Sequence, residues 1–445
     1  MKKNNLFSEF DPVTEKQWKQ KIHADLKGAD YNETLIWQSA EGIDVRPFYT
    51  AENDLETYSN SLAESWKLGQ RISSGDNYPS DLETIVIKFS EAGEIPKALL
   101  EKAMSRGIFI HLEMDFLSQE FIARVEGIFR DYAHYALNID LLGTLSRTGN
   151  WNKSNSEDHA ILQFLLQHSK APYVCAVDTG LFQNAGANRI QQLAYGLLQA
   201  NEYLNFGVQH GLDPKPFVFK TAIDGNYFFE IAKLRALRWL WDTLAAEYGL
   251  DAPCHIIAEP SLRNKTTFDY NSNLLRTTLE CMSAIQGGAD TVVNRPYDSH
   301  FKYENEFSSR IALNQLRILK HESYLDKVNN PADGSYYIES LTEQLAQKAL
   351  SLFKELEASG GYYQHLRSGM LQKKIREQAK AQEEDFDAGN EKLVGANAYV
   401  NEEESVLDQL DFAPFIQKEA RRTEVEPIVP KRLASTVEKE RMKDG

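Results

Sequence analysis

Two segments of the chain place a histidine and a carboxylate where acid–base or metal chemistry could arise. His111 and Glu113 lie two residues apart in IFIHLEM, and His255 and Glu259 lie four apart in CHIIAEP. On a strand each pair would share a face, but the second pair would be roughly 13 Å apart. The first pair has no third ligand at a metal-binding spacing. We therefore predict no catalytic, cofactor-binding or metal-binding residues.

The charge balance and the cysteines limit the environment and the partners. Acidic residues outnumber basic ones by 65 to 49, and the formal net charge is −16. Because such a chain repels phosphates, we expect neither nucleic acid nor a membrane as a partner, and an anionic ligand would need a local basic pocket. Cys175, Cys254 and Cys281 lie in apolar segments without ligand spacing, as is typical of buried thiols in a reducing compartment. The N-terminus MKKNNLFSEFDPV has no apolar run behind its lysines, so we expect a cytoplasmic protein without a signal peptide.

Seven short segments rich in β-branched and aromatic residues are each followed by a longer segment with helical periodicity. Their starts lie 26 to 45 residues apart, which leaves room for a helix between successive parallel strands. SWKLGQRI (65–72) could form an eighth strand, although the stretch after it is short for a helix. The seven predicted strands are 82–89, 108–114, 134–140, 172–179, 217–223, 254–260 and 290–296.

Seven or eight such units predict an α/β protein with a parallel (β/α)8 TIM-type barrel, in which functional residues lie at the carboxyl ends of the strands. An open doubly wound sheet is the alternative. No GxGxxG or P-loop motif follows a predicted strand, so a Rossmann dehydrogenase or a kinase is unsupported. We expect an extended N-terminal arm over 1–50, a barrel with trailing helices over 51–385, and a C-terminal tail or linker over 386–445.

Other patterns predict packing rather than chemistry. The segment after Asn226 has apolar residues at helical spacing and predicts a largely buried helix. Ser340 with Glu343 resembles a capping box, and Gly360 is expected to end the helix that follows. The aromatic residues of the arm, such as Trp18, lack a core of their own, so the arm must lie on this barrel or on a partner. The final forty residues look irregular.

Four separated stretches resemble the barrel of the methylmalonyl-CoA mutase family. They occur in the family's order, and the likeness extends over most of residues 35–365. Any one stretch could arise by chance in an amphipathic helix, whereas four in order make a specific resemblance. The stretches are EGIDVRPFYT, DGNYFFEIAKLRALRWLW, YNSNLLRTTLECMSAIQGGADTVV and PADGSYYIESLTEQLAQKALSLFKELEASGG.

The resemblance implies radical chemistry that requires a cobalamin-binding loop, and this chain does not contain that loop. The family interconverts succinyl-CoA and methylmalonyl-CoA with adenosylcobalamin, which supplies the reactive radical. It carries the cobalamin on a separate domain with a DxHxxG loop whose histidine binds cobalt. The nearest match here, DSHFKY (298–303), lacks the glycine, and no nucleotide-binding domain follows it. We therefore expect His300 to be an ordinary loop or rim histidine and cobalamin not to bind this chain.

The substrate end of the family site also differs. A family stretch like GYHMQEAG is matched by TGLFQNAG, so Leu181 or Phe182 occupies the place of a histidine that assists the migrating carbonyl group. An apolar side chain cannot donate a proton or a hydrogen bond there. Gln183, in the same stretch, could be a remnant of an acyl-CoA pocket or an ordinary polar residue at a strand end.

Two further family positions have changed. The tyrosine that shields the radical in a stretch like IRQYAGF is matched by Arg71, whose large charged group would alter that wall. The family's QND reads Asn138-Ile139-Asp140 here, with only the acidic residue retained. Asp140 could belong to a remnant pocket or cap the next helix. Departures at three contact points argue against a working site.

The resemblance therefore implies a small (beta) subunit that lacks the cobalamin-binding domain and is itself non-catalytic. It would belong to an isomerase, as the heterodimeric partner of a large (alpha) subunit that binds adenosylcobalamin and the acyl-CoA substrate. One alternative is a degenerate barrel that senses acyl-CoA, with Arg71 near the CoA phosphates. Others are a subunit of an isobutyryl-CoA or ethylmalonyl-CoA mutase and a barrel enzyme of unrelated chemistry. We expect the aromatic arm to wrap the large subunit.

Overall fold

The β-branched runs form a closed barrel of eight parallel strands in a computed structural model, which describes residues 9–53, 57–58, 65–72, 78–415 and 421–444. All seven predicted strands form, somewhat shortened at their ends, and SWKLGQRI supplies the eighth. The barrel closes where the last strand pairs with the first, so the alternative of an open sheet is wrong. The strands are β1 (Trp37–Gln38) and β2 (Asp44–Val45) in the arm, and β3 (Lys67–Ile72), β4 (Thr84–Phe89), β5 (Phe109–Met114), β6 (Tyr135–Ile139), β7 (Tyr173–Asp178), β8 (Val218–Ile223), β9 (His255–Pro260) and β10 (Thr291–Val293) in the barrel.

Helices surround the barrel and continue beyond its last strand. None of the helices in the described residues combines the length and the apolar character needed to cross a membrane. A π-helical turn (Ile318–Glu322) and a 3-10 turn (Leu407–Gln409) interrupt the later part of the chain. The α-helices are α1 (Glu15–Asp25), α2 (Tyr31–Leu35), α3 (Lys97–Ser105), α4 (Gln119–Ile128), α5 (Leu141–Thr148), α6 (Asn155–His168), α7 (Thr179–Asn184), α8 (Arg189–Gln209), α9 (Tyr227–Glu247), α10 (Ser272–Gln286), α11 (Glu306–Arg317), α12 (Tyr336–Ala358), α13 (Gly361–Arg367), α14 (Met370–Asp387) and α15 (Ser435–Asp444).

The interior of the barrel is filled in layers, because alternate residues of each strand point inward. At the amino ends of the strands, the ring of Phe109 stacks on that of His255 with centroids 5.3 Å apart, and Tyr173 packs beside them. An aliphatic layer lies above these rings. Its members are Val86, Ala136, Ala176, Val218, Ile257 and Val293. The axis of the barrel is therefore a packed core and not a channel.

Gly69 in β3 allows the strands to pack closely around that core. A Cβ atom at this position would lie 2.9 Å from the Cγ2 atoms of both Thr291 and Val293 on the neighbouring strand β10. Both neighbours are β-branched and stiff, so neither can move away cheaply. A glycine is therefore required where β3 meets β10.

The helix predictions are mostly confirmed, with one correction. The helix after Asn226 is α9, and it is largely buried as expected. The predicted capping box is wrong, because α12 begins at Tyr336 and Ser340 lies inside it. Glu339, also inside the helix, instead accepts a hydrogen bond from the backbone N–H of Gly334 just before the helix, at 2.8 Å. The helix ends before Gly360, which has a φ of +125°, as predicted.

The N-terminal arm divides into a docked part and a part without buried residues. Around the β1–β2 ladder, the Glu41 carboxylate is buried against the Arg189 guanidinium at 2.8 Å, and Trp37 packs edge-on against Phe229. The earlier helix α1 buries no residue and leaves Trp18 53% exposed. The first eight residues of the predicted arm lie outside the described part of the chain.

The C-terminal segment crosses the carboxyl end of the barrel. Its backbone N–H groups at Ile428, Lys431 and Leu433 donate hydrogen bonds of 2.7 to 2.9 Å to carbonyl groups in α5, in α7 and in the loop after β9. Val425 and Ile428 are buried in the main core. The irregular structure expected for the final forty residues holds for 421–434, but the chain then forms helix α15, which the sequence analysis did not predict.

We predict that Gly69→Ala lowers the free energy of unfolding by about 1 to 3 kcal/mol, the usual effect of overpacking a filled core. The matched control is Gly127→Ala in α4, where an added Cβ meets no atom within 4 Å. The control should be unchanged or more stable by up to about 1 kcal/mol, because alanine favours the helix. Urea unfolding of both variants measures the difference, and a Gly69→Ala variant as stable as the wild type would contradict the close packing.

Candidate functional site at the barrel mouth

Charged side chains from the carboxyl ends of the barrel strands meet where a barrel enzyme would hold its substrate. Most of them come from inward-facing strand positions, and one comes from a helix that follows a strand. Cations and carboxylates alternate along the set, which we call the mouth network. Its members are Arg71, Glu113, Arg147, Asp178, Lys220, Glu259 and Arg295.

Arg71 and Glu113 are at the centre of the mouth network. The guanidinium of Arg71 donates to both carboxylate oxygens of Glu113, at 2.8 and 3.3 Å, and also ion-pairs with Glu259. The ammonium group of Lys220 lies 2.8 Å from Oε1 of Glu113. Glu113 is thus held between two cations, and Arg71 between two carboxylates.

The network extends to both sides of this centre. Lys220 Nζ lies 3.7 Å from Oδ2 of Asp178, which also accepts a 3.0 Å hydrogen bond from Arg147 on helix α5. On the other side, Arg295 donates to Oε2 of Glu259 at 2.9 Å. The mouth of the barrel is therefore spanned by linked ion pairs with four cations and three carboxylates.

These contacts keep the groups of the mouth network charged. Burial alone would raise the pKa of Glu113, but Lys220 and Arg71 hold it well below its usual range. Burial would also raise the pKa of Asp178, but the cations Lys220 and Arg147 outweigh this effect, and the pKa is lowered. Burial would lower the pKa of Lys220, whereas the carboxylates of Glu113 and Asp178 raise it. A general acid or base needs a pKa near the working pH, and none of these three groups has one.

The space left at the mouth is divided between two small cavities. One of about 190 Å³ lies among the members of the network, with Leu181 and Pro430 in its wall, and one of about 210 Å³ adjoins Arg71, Glu259 and Arg295. Pockets that hold small ligands usually measure about 300 to 1,000 Å³. Leu181 lines the first of these cavities, whereas the Phe182 ring is turned to Tyr195 with centroids 5.8 Å apart. Of the two residues considered at the position of the family histidine, Leu181 is the one at the mouth.

Asn138 and Asp140 both lie at an irregular point of the barrel. Asn138 has a left-handed backbone with a φ of +49°, and the pairing of β6 with β7 shifts register around it. Its side-chain amide lies 3.4 Å from Nδ1 of His111. Asparagine tolerates this backbone conformation better than most residues do. The irregularity places Asp140 at the start of helix α5.

Asp140 and Gln183 are both bonded to other parts of the protein. Asp140 caps α5 by accepting the N–H of Gly143 at 2.9 Å, and it also accepts the hydroxyl of Tyr203 at 2.9 Å. Burial raises the pKa of Asp140 to about 6. The amide oxygen of Gln183 accepts the Ser261 hydroxyl at 2.9 Å. Of the two interpretations of Asp140, the geometry favours the helix cap.

The two histidine–carboxylate pairs from the sequence are split between layers of the barrel. His111 and His255 lie in the filled interior with ring centroids 4.9 Å apart, while Glu113 and Glu259 belong to the mouth network. Burial, with the neighbouring His255, holds the pKa of His111 well below its usual range, and burial lowers that of His255. Within the described residues, no group of three potential ligands could hold a metal ion.

The histidine of the DSHFKY segment makes its contacts within this chain. The His300 ring packs edge-on against Phe301, and its Nε2 lies 3.4 Å from the Thr267 hydroxyl. Burial and the cations Arg432 and Lys265 hold the pKa of His300 well below its usual range. The described residues after the barrel form helices α11 to α15 and irregular segments, with no second α/β unit.

Sequence reasoning missed four members of the mouth network. Lys220, Asp178 and Arg295 each stand two residues after an inward-facing aliphatic residue, so strand alternation could have placed them at the mouth. Arg147 lies on a helix, and no pattern in the sequence pointed to it. The sequence draws attention separately to Arg71, Glu113 and Glu259, but it does not indicate that they form ion pairs with one another.

Comparisons with known proteins give the family. A family model of methylmalonyl-CoA mutase matches residues 124–443. A methylmalonyl-CoA mutase small subunit from Porphyromonas gingivalis is 31% identical over 92% of this chain and 74% of its own length. One from Streptomyces virginiae is 30% identical over 83% of this chain and 68% of its length. The large subunit from Propionibacterium freudenreichii subsp. shermanii is 34% identical over 51% of this chain, but only 32% of its own length is matched. This chain belongs to the methylmalonyl-CoA mutase family.

Proposed function

We propose that this chain is a non-catalytic small subunit of a heterodimeric methylmalonyl-CoA mutase. Its role is to support a large subunit that interconverts succinyl-CoA and methylmalonyl-CoA by adenosylcobalamin radical chemistry. The likeness to two proteins named as small subunits, over most of this chain, supports the assignment. The large subunit from Propionibacterium freudenreichii subsp. shermanii supports the existence of such a partner in the family.

The mouth network is the observation that carries the non-catalytic role. A working site needs room for the acyl group, a proton donor near the migrating carbonyl, and groups free to interact with substrate. The mouth instead holds two small cavities of about 190 and 210 Å³, an apolar Leu181, and cations and carboxylates that are linked in ion pairs. A substrate that broke these pairs would leave the buried carboxylate of Glu113 without its two cations, which is unfavourable.

The cofactor and the acyl-CoA are assigned to the large subunit. His300 makes contacts within this chain and has no DxHxxG context, so adenosylcobalamin belongs on the partner. The cytoplasmic location, the lack of nucleic-acid and membrane partners, and the division at residues 50 and 385 stay predictions.

The N-terminal arm is proposed as part of the contact with the large subunit. Helix α1 is held to the rest of the arm mainly by polar contacts, such as Arg46 with Glu15 at 3.2 Å. Phe10 and Val13 are both 67% exposed, and Trp18 is 53% exposed although its ring stacks on Phe48. Exposed aromatic and aliphatic side chains grouped in this way are typical of interaction surfaces.

We expect the purified chain alone to show no conversion of succinyl-CoA to methylmalonyl-CoA when adenosylcobalamin is supplied, because linked ion pairs occupy its barrel mouth. Co-expression with the large subunit should give an active complex. The measurement is the rate of product formation for the chain alone, the large subunit alone and the two together. Turnover by the isolated chain would contradict the proposal, and a complex without turnover would contradict the assignment to this reaction.

Deleting residues 1–30, or replacing Trp18 by Asp, should weaken the complex with the large subunit at least about tenfold, since buried aromatic anchors dominate interface energies. The matched control is Val208→Asp, which changes an exposed apolar residue at the end of α8. Sedimentation or surface plasmon resonance measures the dissociation constant. Equal affinity of the truncated and intact chains would show that the arm does not contact the partner.

A further inference from the structure

Another cavity lies beside the barrel mouth, and no member of the mouth network is in its described lining. Its volume is about 450 Å³, which is within the usual range for a site that holds a small organic molecule. Its described walls come from α7, the loop after β9, α14, the C-terminal segment and α15, and it shares Asn184 and Pro430 with the cavity of about 190 Å³. Neither the proposed function nor the family assignment uses this space. We call it the basic cavity, because most of the charged residues in its described lining are cations.

The walls of the basic cavity are mostly apolar. Leu262 from the loop after β9 and Ile375 from α14 face Phe412, Phe415 and Ile428 of the C-terminal segment. Such a lining favours a ligand with an apolar or aromatic body, because it removes that body from water. The lining by itself does not select among apolar molecules.

The charged residues around the basic cavity are strongly biased toward one sign. Its described lining includes five cations and one carboxylate, that of Glu426. This bias contrasts with the net charge of −16 for the whole chain. Three of the five cations form ion pairs with Glu426, Glu383 and Glu438, so the positive charge that could attract an anion comes mainly from Arg263 and Lys439. The five cations are Arg263, Arg376, Lys431, Arg432 and Lys439.

Arg263 is the most unusual of these cations. It is 3% exposed, and its guanidinium donates only to neutral acceptors: Gln382 Oε1 at 2.6 Å, the Lys431 carbonyl at 2.8 Å and the Ala379 carbonyl at 3.5 Å. Burial lowers its pKa. A buried charge normally has a partner of opposite charge, because desolvation is otherwise costly. Among the described residues, no carboxylate lies within ion-pair distance of Arg263, although the more distant Glu383, Glu391 and Asp224 act against the effect of burial on its pKa.

The other buried arginines of the described chain behave differently. Arg189, Arg235, Arg238 and Arg432 each form an ion pair with a carboxylate. The exception is therefore specific to Arg263, in the wall of the basic cavity. An anion in that cavity would supply the missing charge.

Arg432 adds a second unsatisfied group to the same wall. Its Nη2 atom pairs with Glu438 at 2.6 Å, and Nη1 donates to the Lys265 carbonyl at 2.9 Å. Its Nε is buried without a hydrogen-bond partner. Buried N–H donors are nearly always bonded, so this Nε is an exception within a residue that lines the cavity.

We propose that the basic cavity binds a small organic anion, whose phosphate or carboxylate group pairs with Arg263 and whose apolar body lies against Phe412 and Ile428. Lys439, exposed at the rim, adds to the positive field at the entrance. This site would give a non-catalytic subunit a ligand of its own.

Two dyes that differ in charge test the selection for anions. One is 8-anilinonaphthalene-1-sulfonate, an anion that fluoresces in apolar surroundings, and the other is the uncharged N-phenyl-1-naphthylamine. Titrated into the full chain at low salt, the anionic dye should bind at one site and at least about tenfold more tightly than the neutral one, a difference of 1.4 kcal/mol. Equal affinities, or no saturable binding of the anionic dye, would overturn the proposal.

A matched pair of charge reversals locates the site. Lys439→Glu at the rim should weaken binding of the anionic dye by roughly five- to tenfold and leave the neutral dye unchanged, because it reverses a charge near the bound anion. Lys97→Glu, on α3, also reverses an exposed lysine and should change neither affinity by more than about twofold. Both residues are exposed, so folding is not at issue. Equal effects of the two variants would overturn the assignment to this cavity.

Arg263→Met tests the central charge. It should reduce binding of the anionic dye at least about tenfold while the neutral dye still binds, since the apolar walls remain. Displacement of the anionic dye by adenosine monophosphate, but not by octanoate, would identify a phosphate ligand, and the reverse would identify a carboxylate. Displacement by neither would overturn the proposal. These measurements need no partner and no turnover, so their outcome is independent of the proposed subunit role.

Discussion

Glu113, held between Arg71 and Lys220, is the contact on which the mouth of the barrel depends. Through their ion pairs these three side chains link five strands, β3, β5, β7, β8 and β9, so the carboxyl ends of those strands are fixed relative to one another. Their pKa values are moved away from neutrality in the directions that keep each group charged. A set of groups arranged in this way stabilises a closed mouth and is poorly suited to exchanging protons with a substrate.

The other large features of the chain are consistent with a closed mouth. Stacked rings and an aliphatic layer fill the barrel below it. The C-terminal segment lies across it, with Pro430 in the wall of one of the small cavities. The exposed apolar side chains of the N-terminal arm belong to a different part of the sequence from the residues of the mouth network. The interior of the barrel is filled, ion pairs span its mouth, and the C-terminal segment crosses it. Such a barrel suits a supporting role, in which the protein acts through its surface.

Much of the fold follows from the sequence, because alternation and helix length are local properties. The seven strand runs were identified, and SWKLGQRI became β3 even though little chain follows it before β4. The errors arose where tertiary contacts decide the outcome. Ser340 and Glu343 are residue types found in a capping box, yet α12 begins one turn earlier, at Tyr336. In its first turn Glu339 forms an ion pair with the buried Arg235. The candidate site was harder to predict than the fold. Lys220 and Asp178 belong to it only because closure of the barrel brings them next to each other and to Glu113.

The most direct test of a closed, non-catalytic mouth is the turnover number of the assembled complex with Glu113→Gln in this chain. Loss of this carboxylate leaves Arg71 and Lys220 undercompensated, so the isolated chain should lose about 3 kcal/mol of unfolding free energy. The turnover number per assembled complex should stay within about twofold of the wild type, because Glu113 stabilises the mouth and takes no part in the reaction. A fall of a hundredfold or more, the usual effect of removing a catalytic acid or base, in a complex that still assembles would contradict the account.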